Sequence, residues 1–230
     1  MALGTFFGAN AQDKKFSAGI NVGYNSYNLG QLSDFENILS ANYNWPVALK
    51  AVEEFPNFYS YGLIFSMRTN RIKTGLRYFF HSTGSRFHYA DFSGEAGFDT
   101  VLKANLVGLS AAFQLLPDHS ETGDIKVYGG VAPGFLWGTY TLSEYIRADN
   151  IQILDELDFT HRGVSSELFL LAERSFGRIV LSLRGGYNFS VYSRIYREGE
   201  EITLPGTVQG SSTKADLSGF RTGIGVEYQL

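Results

Sequence analysis

The chain has 230 residues, no cysteine, 5 prolines and 26 glycines, and its 19 basic and 23 acidic residues give a formal charge of −4. Lacking cysteine, it has no disulfide scaffold, thiolate metal site, cysteine nucleophile or lipid-modified cysteine; lacking a basic stripe, it has no footprint for a nucleic-acid partner. No run reaches the roughly 18 apolar residues of a membrane-spanning helix, yet 19 Phe, 14 Tyr and 2 Trp stand in a chain of mean hydropathy −0.09.

Met1 to Gln12, MALGTFFGANAQ, carries a short apolar run ending at Ala9-Asn10-Ala11, the small-x-small form of a signal-peptidase site. Residues 1–11 are expected to be a truncated signal-peptide remnant, and 12–230 one barrel domain. Period two begins at once. In KFSAGINVGYNSY, Phe16, Ala18, Ile20, Val22 and Tyr24 alternate with Ser17, Gly19, Asn21, Gly23 and Asn25, as a strand with two different environments requires.

The next segment, about 28–57, breaks that rhythm and is expected to be a partly helical first loop. Ser33 and Glu36 have capping-box spacing, Phe35, Ile38 and Leu39 form an i, i+3, i+4 face, and a second short helix is expected from Pro46 through Val47, Leu49, Ala51 and Val52. Alternation then returns with Tyr59 to Arg68, Ile72 to His81, and Val107 to Leu115, the last preceded by a less regular stretch from Asp99 to Leu106 where a bulge is expected. Four more strands follow at Ile125–Trp137, Val164–Glu173, Ile179–Phe189 and Phe220–Leu230.

Eight strands of roughly ten residues match the length that crosses a bilayer when tilted. The links alternate too: short ones near Asn70, Pro117–Asp124 and Gly177, long ones at Asn28–Asn57, Ser82–Phe98, Leu142–His161 and Tyr192–Asp216. Short turns at one end and long loops at the other predict an all-β, eight-stranded antiparallel up-and-down transmembrane barrel with outer-membrane lipid around it. Closure follows from physics, since an open edge in hydrocarbon leaves backbone groups unpaired. A soluble lipocalin-like barrel is the alternative; it would turn the aromatic-aliphatic face inward and the charged face to water.

On the polar faces fall Lys73, Arg77, Lys126, Arg184 and Arg221, with Glu167, Glu173 and Glu227. Eight strands leave an interior just wide enough for side chains, so both signs inside predict a plugged lumen of ion pairs, with inward glycines making room. The carboxy-terminal strand GFRTGIGVEYQL carries Phe220, Ile224, Val226, Tyr228 and Leu230 on one face. It resembles the terminal signal that outer-membrane barrels present to the barrel-assembly machinery, with Leu230 where Phe is usual. Together with KFSAGINVGYNSY it makes the chain resemble the small OmpA-like or PorT-type outer-membrane β-barrels of Bacteroidetes. That resemblance implies outer-membrane location in a Gram-negative cell and supplies no catalytic residues.

Candidate chemistry is thin. A lipid-modifying barrel enzyme would need a His-Ser pair with an acid at the outer rim. His81 and Ser82 are adjacent and point to opposite faces of a strand, while His119 and Ser120 fall in a short-turn link. Asp91, Asp99, Asp149, Asp155, Glu156 and Asp158 have no calcium-loop spacing, and no Walker loop or G-x-S-x-G element occurs. The chain is therefore expected to be non-enzymatic and monomeric, with no cofactor or metal and a structural or surface-binding role through its long loops, where an extracellular ligand or protein would bind.

Overall fold

A computed structural model describes residues 14–42, 48–116, 125–148, 151–192, 195–197 and 213–230. The expected signal remnant, the link holding His119 and Ser120, Asp149, and Pro46 with Val47 lie outside the described residues. In chain order the elements are β1 (Lys15–Tyr27), α1 (Gly30–Asn42), β2 (Lys50–Glu53), β3 (Phe58–Thr69), β4 (Ile72–Asp91), β5 (Gly94–Gln114), β6 (Lys126–Ala148), β7 (Ile151–Phe176), β8 (Ile179–Tyr192) and β9 (Gly219–Gln229).

Eight strands form a closed antiparallel ring in which each pairs with its neighbours and β1 closes onto β9 from Ser17↔Gln229 to Tyr27↔Gly219. The short β2 adds to the free upper edge of β4, opposite Arg86–His88. Every alternation read from the sequence keeps its face. Ser17, Asn21, Asn25, Ser60, Ser66, Lys73 and Arg77 are buried, while Ile20, Leu63, Phe65, Leu76 and Leu109 are exposed. The turn at one end uses Asn70 (φ 50°) and another uses Gly177 (φ 60°), residues that adopt positive φ at low cost.

Two expectations fail at the other end. Ser82–Phe98 is not a loop, nor are the described residues of Leu142–His161: β4 and β5 run for 20 and 21 residues and meet in a tight hairpin at Asp91–Gly94, and β6 and β7 run for 23 and 26 and pair as far as Ala148↔Ile151. Nor does Asp99–Leu106 hold a bulge, because pairing runs unbroken from Ile72↔Phe113 to Asp91↔Gly94. Both misreadings share a cause. Above the level of His81 and Trp137 the chemistry of the faces exchanges and polar residues stand on both, so the period-two contrast that marks a strand is lost there.

Below that level the outside is apolar (Leu76, Leu109, Phe135, Leu168, Leu170, Leu183) and the inside charged. Above it the outside carries Arg86, Asp99, Lys103, Thr141, Arg147 and Asp158, and the inside is a packed core of Phe87, Phe98, Leu102, Leu142 and Phe159. One barrel wall thus serves two solvents. A lipocalin-like arrangement is the reverse of what the lower half shows. Aromatic contacts mark both rims of the apolar belt: Tyr24–Tyr59 at 5.6 Å, Phe135–Trp137 at 5.9 Å and Tyr187–Phe220 at 5.1 Å at the loop end, and Phe16–Phe65 at 6.4 Å toward the turn end.

This boundary carries a first prediction. Leu109→Arg, in mid-belt, is expected to destabilise the barrel in lipid by about 2–4 kcal/mol. Val101→Arg, eight residues up the same face of β5, should stay within about 0.5 kcal/mol of the parent. Urea unfolding in vesicles measures both, and equal costs would move the boundary.

Helix α1 fills the mouth of the upper half. It starts four residues earlier than the capping box predicts, at Gly30 instead of Asp34: Asn28 Oδ1 accepts from Gly30 N at 3.3 Å, and Ser33 lies inside, its hydroxyl donating to Glu54 at 2.8 Å. Leu32, Phe35 and Leu39 pack into the core and Ile38 faces out, 42 % exposed. The helix expected near Val52 is instead β2, because the open upper edge of β4 offers backbone partners that a short solvated helix lacks. Ile195, Ala215 and Leu217 close the core from the opposite side.

Candidate functional site: the filled lumen and the seated helix

The strands bring seven of the eight expected lumen residues into two layers. In the upper layer Glu167 of β7 receives Arg77 of β4 on one carboxylate oxygen and Arg184 Nε of β8 on the other at 2.8 Å, with Arg221 of β9 at 3.7 Å. Arg77 Nη2 also donates to Ala132 O at 2.7 Å. Arg184 lies over Phe169 at 3.5 Å and Arg221 over Phe79 at 3.6 Å, so planar guanidinium groups use ring faces where oxygen partners run out.

In the lower layer Lys73 bridges Glu173 and Glu227, the latter at 2.8 Å. The second oxygen of Glu227 accepts from Ser17 at 2.6 Å and Ser66 at 2.7 Å. Arg68 approaches Glu173 at 4.0 Å from the rim. Lys126 stands apart: it is opposite Glu173 in the β6–β7 register but half-buried at the turn end. Glycine makes the crowding possible. A Cβ on Gly186 would stand 3.1 Å from Glu167 Oε1 and 2.9 Å from Phe169 Cβ; one on Gly108 would sit 3.3 Å from Arg77 Nε.

Sequence reading missed Ser17, Ser66 and Arg68 as network members, although all three lie on the inward face by parity. It also missed the second polar site. Glu36 of α1, fully buried, accepts from Ser85, from Thr100 at 2.7 Å and from Tyr140 at 2.9 Å. Burial raises its carboxyl above the ordinary range, against the pull of those three donors, and Glu54 adds to the rise. Only the tertiary fold reveals this, since β4, β5 and β6 supply one donor each.

The terminal strand presents Phe220, Ile224, Val226, Tyr228 and Leu230 outward, between 43 % and 74 % exposed. His81 points inward, ringed by Tyr27, Phe58 and Phe79, while Ser82 lies on the other face. His88 meets Tyr145 OH at 2.8 Å on the outer wall. Among the described residues no three or more of His, Cys, Asp and Glu are grouped to hold a metal ion, and no helix is long and apolar enough to cross a membrane.

The fold and site define a closed eight-stranded antiparallel β-barrel with an apolar outer belt and an ionic interior. No protein-family model matches the chain, and no curated protein matches it significantly. Among solved structures it is similar to Ail, the attachment invasion locus protein of Yersinia pestis, at 10 % identity and TM-score 0.33, covering 94 % of this chain and 97 % of that one. It is also similar to the outer membrane protein OprG of Pseudomonas aeruginosa, at 12 % identity and TM-score 0.38 over 95 % and 96 % of the two chains. CarO of Acinetobacter baumannii gives 12 % and 0.38 over 93 % and 97 %. Superpositions this loose bear no argument about function; the ring stands on its own strand pairing.

Proposed function

We propose that this is an integral outer-membrane barrel protein of a Gram-negative cell, monomeric and non-enzymatic, with a lumen plugged by its own side chains. The observation that carries the reading is the exchange of faces along β4–β7. An apolar exterior over an ionic interior suits hydrocarbon outside; a polar exterior over an apolar core suits water. The upper half, with α1 seated in it, is then the extracellular part and the surface through which a structural or binding role is exercised. At its tip Phe92 is fully exposed, beside the Asp91–Ser93 turn that presents it.

Plugging is supported by the two ionic layers and by the size of the spaces beside them, about 20 Å³ between the layers and about 10 Å³ at the turn end of the lower one, each room for a single water. The outward apolar residues of β9 suit recognition by the barrel-assembly machinery. The narrower affiliation with the OmpA-like or PorT-type barrels of Bacteroidetes rests on the patterns of the first and last strands.

Two measurements test the reading together. The full chain should need detergent for extraction and should migrate faster on SDS gels unheated than boiled; solubility without detergent would refute membrane residence. In planar bilayers the folded protein should give no stable conductance, and a steady open pore would refute the plug.

A further inference from the structure

Between the two ionic layers, on the barrel axis, lies a cavity of about 20 Å³. Its polar lining is Asn21, Ser66, Lys73, Ser110, Ser182 and Arg184, with Glu227 the one carboxylate. Both oxygens of Glu227 are already occupied, one by Lys73 and the other by Ser17 and Ser66. Ser66 and Ser110 have given their protons to Glu227 and to Gly75 O, so the donors left to a guest are those of Arg184, Lys73, Asn21 and Ser182. Arg184 Nη2, on a side chain 7 % exposed, has no hydrogen-bond partner. Lys73 has given two of its three protons to carboxylates.

The charges point the same way. Among the described residues the buried ionised groups of the lumen are Lys73, Arg77, Arg184 and Arg221 against Glu167, Glu173 and Glu227, four cations to three carboxylates, none more than 8 % exposed. Arg68, at 15 % side-chain exposure, belongs to the solvated rim. One positive charge is left over in a region sheathed by lipid-facing residues, where an uncompensated ion is costly. Arg77 Nε and Arg221 Nη2 are unpartnered as well.

We propose that this cavity is a binding site for one small monovalent inorganic anion, of which chloride is the available example. Its volume admits a species the size of water and excludes phosphate, sulfate and carboxylates. A single anion balances the four cations and gives the lining donors an acceptor. Gly225 is what leaves the space open: a Cβ there would collide with Ser182 Oγ and come within 3.2 Å of Asn21 Nδ2.

The test uses the full chain refolded in detergent, with folding checked by the gel shift on heating. Its thermal midpoint is followed in sodium chloride and in sodium sulfate at equal ionic strength. Sulfate stabilises proteins generally by exclusion from their surface, so any chloride advantage must come from a site. The midpoint is expected to rise by several degrees with chloride and to saturate, with bromide replacing chloride. Ser182→Ala, which removes one donor, should raise the half-saturating chloride concentration about tenfold. Gly225→Ala should abolish the saturable response while the barrel still folds. In crystals grown with bromide, an anomalous peak is expected beside Arg184 and Ser182. A midpoint no higher in chloride than in sulfate, a response unchanged by Ser182→Ala, or ordered water without anomalous signal in the cavity would each overturn the site.

Discussion

Replacing Glu167 with leucine is expected to cost the barrel about 3–5 kcal/mol, the largest single-residue effect in the lumen. The carboxylate is wholly buried and is the one acceptor shared by Arg77, Arg184 and Arg221. Without it three guanidinium groups remain in a dry interior with only ring faces and the Ala132 carbonyl to hold them. Removing the charge on its own, as in Glu167→Gln, should cost nearly as much, because the amide brings a donor to a cluster already rich in donors. A double variant with Arg77→Met should recover part of the loss, since the pair shares one interaction. Equilibrium urea unfolding in vesicles reads all three, and a Glu167→Leu barrel as stable as the parent would show that the layer is held by packing alone.

The second large effect concerns the seat of α1. Glu36→Ala strands the hydroxyls of Ser85, Thr100 and Tyr140 in the upper core and should loosen the helix by about 1–3 kcal/mol. The pH dependence has a definite sign. The docked carboxyl titrates above its ordinary value of 4.5, so the docked state binds the proton more tightly than the free one. Seating is therefore firmest below the free-carboxyl range and weakens as pH rises through the docked-state pKa. Glu54 is the charged neighbour across the helix, Tyr140 the titratable partner on the wall, and among the described residues no cation pairs with Glu36. Hydrogen-exchange protection of the α1 amides, corrected for intrinsic rate, should thus increase as pH is lowered from 7 toward the ordinary carboxyl range. Glu36→Gln should remove that slope. Protection that falls on acidification would contradict the assignment.

How much of this was legible in the chain follows from where its periodicity keeps one meaning. From Phe16 to Asn25 and from Gly223 to Leu230, apolar residues fall on one face and small, polar or charged ones on the other, and ring, face and lumen charges follow by parity. Ser82 to Phe98 defeats the same reasoning. Thr83 and Ser85 point inward with Phe87, and Ser82, Gly84 and Arg86 outward, so the stretch lacks the contrast that marks a strand. Its regularity comes from pairing with β5, a long-range fact. In α1 the local signals compete: Ser33 and Glu36 have the spacing of a capping box, but Glu36 is needed by three hydroxyls on the wall, and the cap passes to Asn28. Ile38 loses its expected place to Leu32 for the same reason, since the core lies on the side where Glu36 points.

The height of the apolar belt sets the kind of bilayer that suits this molecule. On β3 the belt runs from Tyr59 to Met67; at a rise of about 3.3 Å per residue and a tilt of about 40° it spans roughly 20 Å. That is short of the approximately 30 Å hydrocarbon thickness of an average membrane. A thicker bilayer would have to pinch around the protein or leave Arg162 and Lys103, just above the rim, against acyl chains. Hydrophobic mismatch therefore acts as a sorting force, and the proposed home in a thin outer membrane suits the height of this belt without deforming the surrounding lipid.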